Sequence, residues 1–410
     1  MRQLRRLVLA PYHYAWAVLA ALWYGFPSNG LTIIGVTGTK GKSSVSEMLY
    51  TILEASGRKT ALAGTIRFAI GKESKPNLFK MTLPGRGFIQ KFFAQALEKG
   101  CTHAVVEITS EAALQYRHVG VSMNALIFTN LQKEHIESHG SMEKYAAAKF
   151  RIGKALARSS KRPRAIIANS DSAYAQPYLT LPVEKHIPFC FADAQEVSIS
   201  EEGVSFLYKN VRFSIPQPGK FSVLNALAAI NAAEWVGVPL QVCAEALATL
   251  IVIPGRAERI EVGQPFVAVV DYAHTPDSLS SLYEAFGKRK LICVLGNTGG
   301  GRDTWKRPLM GKIADAACEH VILTNEDPYD EDPQKIVDAM AAGMEKPPEI
   351  ILDRRAAIRR AVSLAQPGDA VLISGKGTDP FIMGPRSTKT PWSDAVVVRE
   401  ELAQLLAQKR

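Results

Sequence analysis

Leu31-Thr32-Ile33-Ile34-Gly35-Val36-Thr37-Gly38-Thr39-Lys40-Gly41-Lys42-Ser43-Ser44 is the stretch on which the reading of this 410-residue chain turns. Its first six residues are apolar and largely β-branched, the composition of a strand buried on both faces. Glycines then punctuate a loop, and a helical pattern runs from Ser43 to Ser56. Such a strand, loop and helix make an anion site, because glycines let backbone N–H groups turn toward a phosphate and the helix start adds a favourable dipole. Lys42 is placed to reach terminal phosphates and Ser43 to ligate Mg²⁺. Val36 stands where the general Walker pattern has its first glycine, so the match is to the narrower G-T-x-G-K-[ST].

The same order recurs outward from this loop. Residues 103–108, 125–129 and 165–168 are further buried-strand candidates with helical sequence nearby, which argues for a mostly parallel sheet covered on both faces. Between Pro188 and Pro218 the pattern becomes short and alternating, as in antiparallel strands at a sheet edge, and an alanine-rich helix follows over 222–236. Ile253-Pro254-Gly255-Arg256 reads as the turn that ends this domain. Strands at 266–270, 291–295, 320–323 and 370–373 then build a second α/β unit. The fold expected is α/β, with two doubly wound domains: a central P-loop domain over 31–252 with a mostly parallel sheet, and a Rossmann-like domain over 253–410.

Composition bounds the chemistry. Hydrophobic residues at 47% and charged residues at 21% exclude a disordered or fibrous chain. The excess of 49 Lys+Arg over 39 Asp+Glu, a net charge of +10, suits polyanionic ligands without choosing among them. No recognition-helix, stacking-aromatic or zinc motif supports a nucleic-acid role. Cys101, Cys190, Cys243, Cys293 and Cys318 are scattered singly and read as reduced core residues of a cytosolic protein. At the N-terminus, Arg2, Arg5 and Arg6 precede an uncharged run from Leu7 to Gly30. Its strongest part, 12–26, is shorter than the ~20 residues of a spanning helix. A spanning anchor would also put the phosphate loop outside the cell. Two readings of residues 1–30 remain: a helix packed on the core, or an interfacial segment with its arginines near lipid phosphates.

The sequence resembles the Mur ligase superfamily of ATP-dependent amide-bond-forming enzymes, over roughly residues 30–410. It is most similar to the ligases that add the third residue of the peptidoglycan stem peptide. Val106 to Arg117 looks like the E-V-S-S-H-A-L segment with its downstream Gln and Arg, with Glu111 in place of the His. Phe128 to Gly140 resembles F-T-N-L-x-x-D-H-x-x-x-H-G, and Tyr145 to Phe150 the Y-x-x-A-K run. Gly219 to Ala229 is similar to G-x-F-N-x-x-N-A-x-A-A, residues 254–258 to P-G-R-x-E, and 271–276 to D-Y-A-H-x-P.

The resemblance implies roles position by position. ATP would meet Gly38, Thr39, Lys40, Gly41, Lys42, Ser43 and Ser44, together with Asn225, Arg256 and Asp271. Two Mg²⁺ ions would be held by Ser43, Glu107, His135 and a carbamylated Lys149, and Lys42, His135 and Lys149 would be catalytic. The muramoyl-peptide and the incoming amino acid would meet Thr82, Thr109, Gln115, Arg117, Arg307, Asp327, Gly375 and Asp379. The expected reaction is carboxylate activation by ATP on a UDP-muramoyl-dipeptide, giving an acyl phosphate that the amine of an amino acid attacks. Asp327 and Tyr329 replace the Asn and Arg of the diaminopimelate-adding D-N-P-R, and Gly375 to Asp379 replaces G-K-G-H-E. A tyrosine lacks the guanidinium that pairs with a distal carboxylate, and Asp327 would suit a side-chain ammonium, so these departures favour lysine or another basic amino acid over diaminopimelate. A cytoplasmic monomer with no nucleic-acid partner is expected, and the interfacial reading adds peripheral contact of residues 1–26 at the inner face of the membrane. Family members of this type begin with a separate domain that holds the uridine diphosphate, and none fits in the 30 residues before the phosphate-loop strand. The alternatives weighed are a folylpolyglutamate-type ligase and a non-catalytic ATP-binding module at a membrane.

Overall fold

The structure, a computed structural model, describes residues 2–85, 87–134, 136–250 and 252–408, without the side chains of residues 2–8 and 138. The chain divides into two compact units, one made of Met1–Ser198, Val204–Pro216 and Phe221–Leu250, the other of Ile199–Gly203, Gln217–Lys220 and Ile251–Arg410.

The first unit opens with helix α1 (Arg2–Trp23) and then strand β1 (Thr32–Thr37), which leads through the phosphate loop into α2 (Lys42–Ala55). Next come β2 (Thr60–Ala63), the hairpin β3 (Arg67–Ile70) and β4 (Glu73–Pro76), α3 (Phe88–Glu98), β5 (His103–Glu107) and α4 (Ser110–Leu114). β6 (Ala125–Phe128), α5 (Ile136–His139), α6 (Met142–Ala157), β7 (Ala165–Asn169), α7 (Gln176–Leu179) and β8 (Lys185–Phe189) follow. These strands form one sheet in the order β4-β3-β2-β5-β1-β6-β7-β8, parallel from β2 to β8 and antiparallel only at the β2-β3-β4 edge. β1 is therefore central, with Val36 beside Glu107 of β5 and Thr37 beside Phe128 of β6. Alternate residues of each strand face opposite sides. Ile33, Val106 and Leu126 join Phe92 and Phe93 of α3 and Ile152 of α6 in one core layer, while α2 packs on β1 and β5 with Val45, Met48, Leu49 and Ile52 buried. The expected doubly covered sheet is present.

The alternating segment proves to be β9 (Gln195–Ile199), β10 (Val204–Tyr208) and β11 (Val211–Ile215). These strands form a separate three-stranded sheet instead of extending the edge of the large one. Its apolar face explains the difference. Phe206 and Phe213 stack at 5.4 Å, Tyr208 donates to Asn231 of α8 (Lys220–Trp235), and β11 packs on α9 (Leu240–Ala248).

The second unit contains β12 (Glu258–Arg259), β13 (Val267–Val270), α10 (Pro276–Phe286), β14 (Leu291–Leu295), α11 (Lys306–Ala317), β15 (His320–Leu323) and α12 (Pro333–Ala341). It continues through β16 (Glu349–Ile350), α13 (Arg354–Leu364), β17 (Ala370–Ile373), the hairpin β18 (Phe381–Met383) and β19 (Lys389–Pro391), and α14 (Asp394–Gln408). Its sheet runs β12-β13-β17-β14-β15-β16, parallel from β13 onward. Phe286, Met310 and Met340 cover one face, and Ile358, Val398 and Leu402 the other. One expectation is corrected here, because Cys293 of β14 and Cys318, just before β15, form a disulfide with Cα atoms 6.3 Å apart. The pairing arises because β14 and β15 are parallel neighbours, with Cys293 opposite Val321. A spacing of 25 residues gives no hint of it. Cys101, Cys190 and Cys243 are free thiols.

The N-terminal apolar run is helical to Trp23 and passes through Pro11. The helix stops in a Schellman arrangement: Phe26 N–H donates to Ala21, Gly25 N–H donates to Leu22, and Gly25 takes φ +66° before Pro27. Its small-residue face is seated on the core. A Cβ on Gly87 would lie 2.7 Å from Ala20 Cβ, and one on Gly120 would lie 2.5 Å from Ala21 Cβ. Among the described residues no helix is long and apolar enough to cross a membrane.

Candidate functional site

The phosphate loop leaves the carboxyl end of central β1, where parallel sheets place their ligand sites. Its shape is fixed from outside by the strand-end residues of β5 and β6. Thr37 Oγ1 donates to Ile108 O, Lys40 N donates to Asn130 Oδ1 at 3.0 Å, and Thr129 Oγ1 donates to Lys40 O at 2.6 Å. Gly38 has no room for a side chain, since a Cβ would fall 1.9 Å from Thr129 Oγ1, and its φ is +146°. Gly41 takes φ +81° at the start of α2, and a Cβ there would meet Asn225 Oδ1 at 2.3 Å. Asn225, expected to meet ATP, thus rests against the loop itself. Lys42 Nζ folds back onto Gly38 O and Thr39 O at 3.1 and 2.9 Å.

Two expected metal ligands meet directly. Ser43 Oγ donates to Glu107 Oε2 at 3.1 Å, and both side chains are buried. Glu107 is held by a residue the motifs did not single out, Thr65, whose backbone N donates to Oε1 at 2.9 Å and whose hydroxyl donates to Oε2 at 2.8 Å. Thr65 Oγ1 also contacts Thr82 Oγ1 at 2.8 Å, which ties Thr82 to the same carboxylate. A hydroxyl beside a carboxylate is a hard-oxygen pair suited to Mg²⁺. His135 lies outside the described residues. Among the described residues no three His, Cys, Asp or Glu side chains cluster as a metal cage.

Lys149, on α6, is fully buried, and its Nζ donates to Gly38 O at 2.6 Å. It also lies 4.9 Å over the ring of Tyr145, whose hydroxyl is 3.1 Å from Thr39 Oγ1. Burial drives its pKa well below the ordinary lysine value, the charge of Lys42 lowers it further, and Glu134 opposes the shift. Lys149 is thus a core residue under the phosphate loop.

The expected muramoyl-peptide residues form a second group on the same unit. Arg117 donates to Leu83 O, to Gln115 Oε1 at 2.5 Å and to Met81 Sδ at 3.5 Å. Thr109 instead caps α4, accepting from Ala112 N at 3.2 Å.

The second unit carries the remaining candidates. Arg256 lies 4.6 Å over the Tyr272 ring, and Asp271 accepts from the backbone of Ala257 and Ala273, each at 2.6 Å. Arg307 is buried and forks onto Glu331 at 2.6 and 2.9 Å, so its guanidinium is engaged within the fold. Asp327 is engaged too. It accepts from Lys376 Nζ at 2.9 Å and from Met383 N at 2.8 Å, and Asp379 lies 3.8 Å from the same ammonium. The acid offered to a substrate ammonium by the sequence is therefore already partnered by Lys376, which is fully buried. Gly375, at φ +107°, leaves no space for a Cβ beside Glu326 Oε2, and burial raises the Glu326 pKa. Arg302, in the glycine-rich stretch 299–303, is given no role by the motifs. Its guanidinium lies 4.9 Å over the Tyr329 ring and donates to the phenol oxygen at 3.3 Å, which brings a cation to the position where D-N-P-R has its arginine. The conspicuous Arg302-Asp303 pair after three glycines was the available signal.

The profile of the Mur ligase middle domain matches residues 36–233, and that of the Mur ligase, glutamate ligase domain, matches 255–377. A UDP-N-acetylmuramoyl-L-alanyl-D-glutamate–2,6-diaminopimelate ligase of Syntrophomonas wolfei is 37% identical over 383 residues, covering 90% of this chain and 77% of that protein. A UDP-N-acetylmuramyl-tripeptide synthetase of Roseiflexus sp. is 36% identical, covering 98% and 82%. Among solved structures, a UDP-N-acetylmuramoyl-L-alanyl-D-glutamate–2,6-diaminopimelate ligase superposes with a TM-score of 0.62 at 30% identity, over 93% of this chain and 79% of that one. Folylpolyglutamate synthase of Mycobacterium tuberculosis shares the fold, with a TM-score of 0.74 at 17% identity over 89% of this chain and 93% of that one.

Proposed function

The chain belongs to the Mur ligase family, and from that premise we propose that it is an ATP-dependent, ADP-forming ligase that joins a diaminopimelate-type amino acid to a UDP-N-acetylmuramoyl-dipeptide. The observation that carries the reading is the phosphate loop with Glu107 and Lys149 built into its wall. The terminal carboxylate of the dipeptide attacks the γ-phosphorus of ATP, and the bond from γ-phosphorus to the bridging oxygen breaks to release ADP. The amine of the incoming amino acid then attacks the acyl phosphate carbon, and phosphate leaves with the C–O bond electrons. Loop amides and Lys42 offset negative charge on the phosphates. Bound Mg²⁺ would add Lewis-acid neutralisation of the transferring phosphoryl group, held by Ser43 and Glu107 and, in our reading, by His135 and carbamylated Lys149. Arg256 and Asp271 are assigned to the nucleotide, and Thr82, Gln115 and Arg117 to the muramoyl-peptide.

The amino-acid assignment rests on Asp327 being bound by Lys376 and on the guanidinium of Arg302 at Tyr329. An arginine suits a distal carboxylate. The test is phosphate release with UDP-muramoyl-dipeptide against a panel of diaminopimelate, lysine and ornithine. Diaminopimelate is expected to turn over fastest, with Arg302→Ala raising its KM about tenfold or more. Preference for lysine by the wild-type chain would reverse the amino-acid assignment, and silence with all three would remove the ligase reading.

A further inference from the structure

Helix α1 has two apolar faces of different character. Ala20 and Ala21 on the inner face are buried against Gly87 and Gly120, respectively. On the outer face the large side chains Tyr12, Trp16, Leu19 and Trp23 are 46, 45, 59 and 84% exposed. Their spacings of four, three and four place them in one stripe. A helix that buried its large residues in its own core would show the opposite arrangement, so this stripe is built to meet something outside the chain.

We propose that the outer face of α1 lies in the headgroup region of an anionic lipid bilayer, parallel to its surface. Charge complementarity selects this occupant. Arg2, Arg5 and Arg6 are on the helix, and the first acidic residue of the whole chain is Glu47. Basic residues beside exposed tryptophan, tyrosine and leucine suit a surface-lying helix, where indole and phenol rings settle at the polar boundary and arginines pair with lipid phosphates. The helix is too short in apolar length to cross the bilayer. Tyr14 packs edge-on to Tyr116 at 5.6 Å, one residue from Arg117, so the lipid surface would lie beside the group assigned to the muramoyl-peptide. That last point rests on the proposed substrate site, whereas the lipid contact itself does not.

The test is co-sedimentation of the full 410-residue chain with vesicles of phosphatidylcholine alone or with about one third phosphatidylglycerol. The chain is expected to sediment with the anionic vesicles, to stay in solution with the neutral ones, and to be released by ~0.5 M salt. The triple substitution Trp16→Glu, Leu19→Glu, Trp23→Glu is expected to weaken partitioning at least about tenfold without lowering the melting temperature, because all three side chains are on the surface. As an independent readout on the unmodified chain, tryptophan emission should shift to the blue on adding anionic vesicles. Absence of binding by the wild type, or equal binding by the triple variant, overturns the proposal. So does a dimer in solution that the triple variant dissolves while vesicles capture neither protein, since the occupant is then a second copy. Binding is read without the ligase reaction, so a chain that sediments yet forms no amide bond fails the functional proposal alone.

Discussion

Lys149 combines full burial, a backbone carbonyl 2.6 Å away and a second lysine close enough to depress its pKa. The neutral amine is the form that reacts with CO₂, so these surroundings favour a carbamate, which turns a costly buried cation into a ligand oxygen group. Lys149→Ala is expected to lose at least about a hundredfold in kcat/KM and to regain part of it with a short-chain carboxylic acid. Isotopically labelled bicarbonate should give a carbamate NMR signal in the wild type alone. Full activity in the plain variant would remove the carbamate from the mechanism. His118 tests the same physics on stability. Burial, aided by Arg151, pulls its pKa from 6.5 down to about 4, and its Nδ1 has no partner. The folded state then binds fewer protons than the unfolded state between these values, so stability is intact above pH 6.5 and is lost as pH falls toward 4. The loss is up to about 3 kcal/mol for the group. His118→Leu should flatten the dependence of melting temperature on pH over that window, and an unchanged slope would show that His118 is not its source.

At the scale of elements, the seat of α1 can be separated from ordinary glycine strain. Gly57 and Gly120 share a left-handed φ, +80° and +76°, but a Cβ on Gly57 meets nothing while one on Gly120 collides with Ala21. Gly57→Ala should therefore show the backbone cost alone, about 1 kcal/mol. Gly120→Ala should add about 1–3 kcal/mol for overpacking. Chemical denaturation of the two variants measures the difference, and equal losses would mean that α1 yields freely. The phosphate loop shows what an element's sequence does and does not reveal. Glycines and G-K-S-S announce the loop, because backbone conformation and phosphate chemistry are local properties. Thr65 as the residue holding Glu107, and Asn225 as the side chain against Gly41, arise from strands and helices that meet only in three dimensions.

For the whole molecule, the central strands of both sheets were legible because they are continuous apolar runs, as at 291–295 and 370–373, whereas the short β2 and the largely exposed β8 carry no such run and went unmarked. The small β9-β10-β11 sheet was recognised as strands but misplaced, because alternation shows that one face is buried without saying against what. The Cys293–Cys318 bridge was invisible for a related reason, since register between neighbouring strands is a tertiary fact. The amino-acid preference inferred from Asp327 treated that carboxylate as available, and only the fold brings Lys376 to it. A buried ion pair of this kind is costly to break on one side, typically about 3–5 kcal/mol. Lys376→Met should accordingly destabilise the second unit more than Asp327→Asn, because the first removes the ammonium shared by Asp327 and Asp379, whereas the second leaves Lys376 with Asp379 at 3.8 Å. Thermal unfolding of the two variants orders them, and the reverse order would contradict the pairing.

The rim of the large sheet has a consequence for how these molecules behave toward one another. Its last strands are β4, fully exposed and ending Glu73-Ser74-Lys75-Pro76, and β8, which contains Lys185 and Pro188. Charge and proline deny a neighbouring chain the unbroken row of amide donors that strand addition requires. Replacing Lys75 and Pro76 with valine should turn that rim into a template for fibrous association, seen as rising light scattering and thioflavin fluorescence on incubation at a temperature where the wild type stays clear.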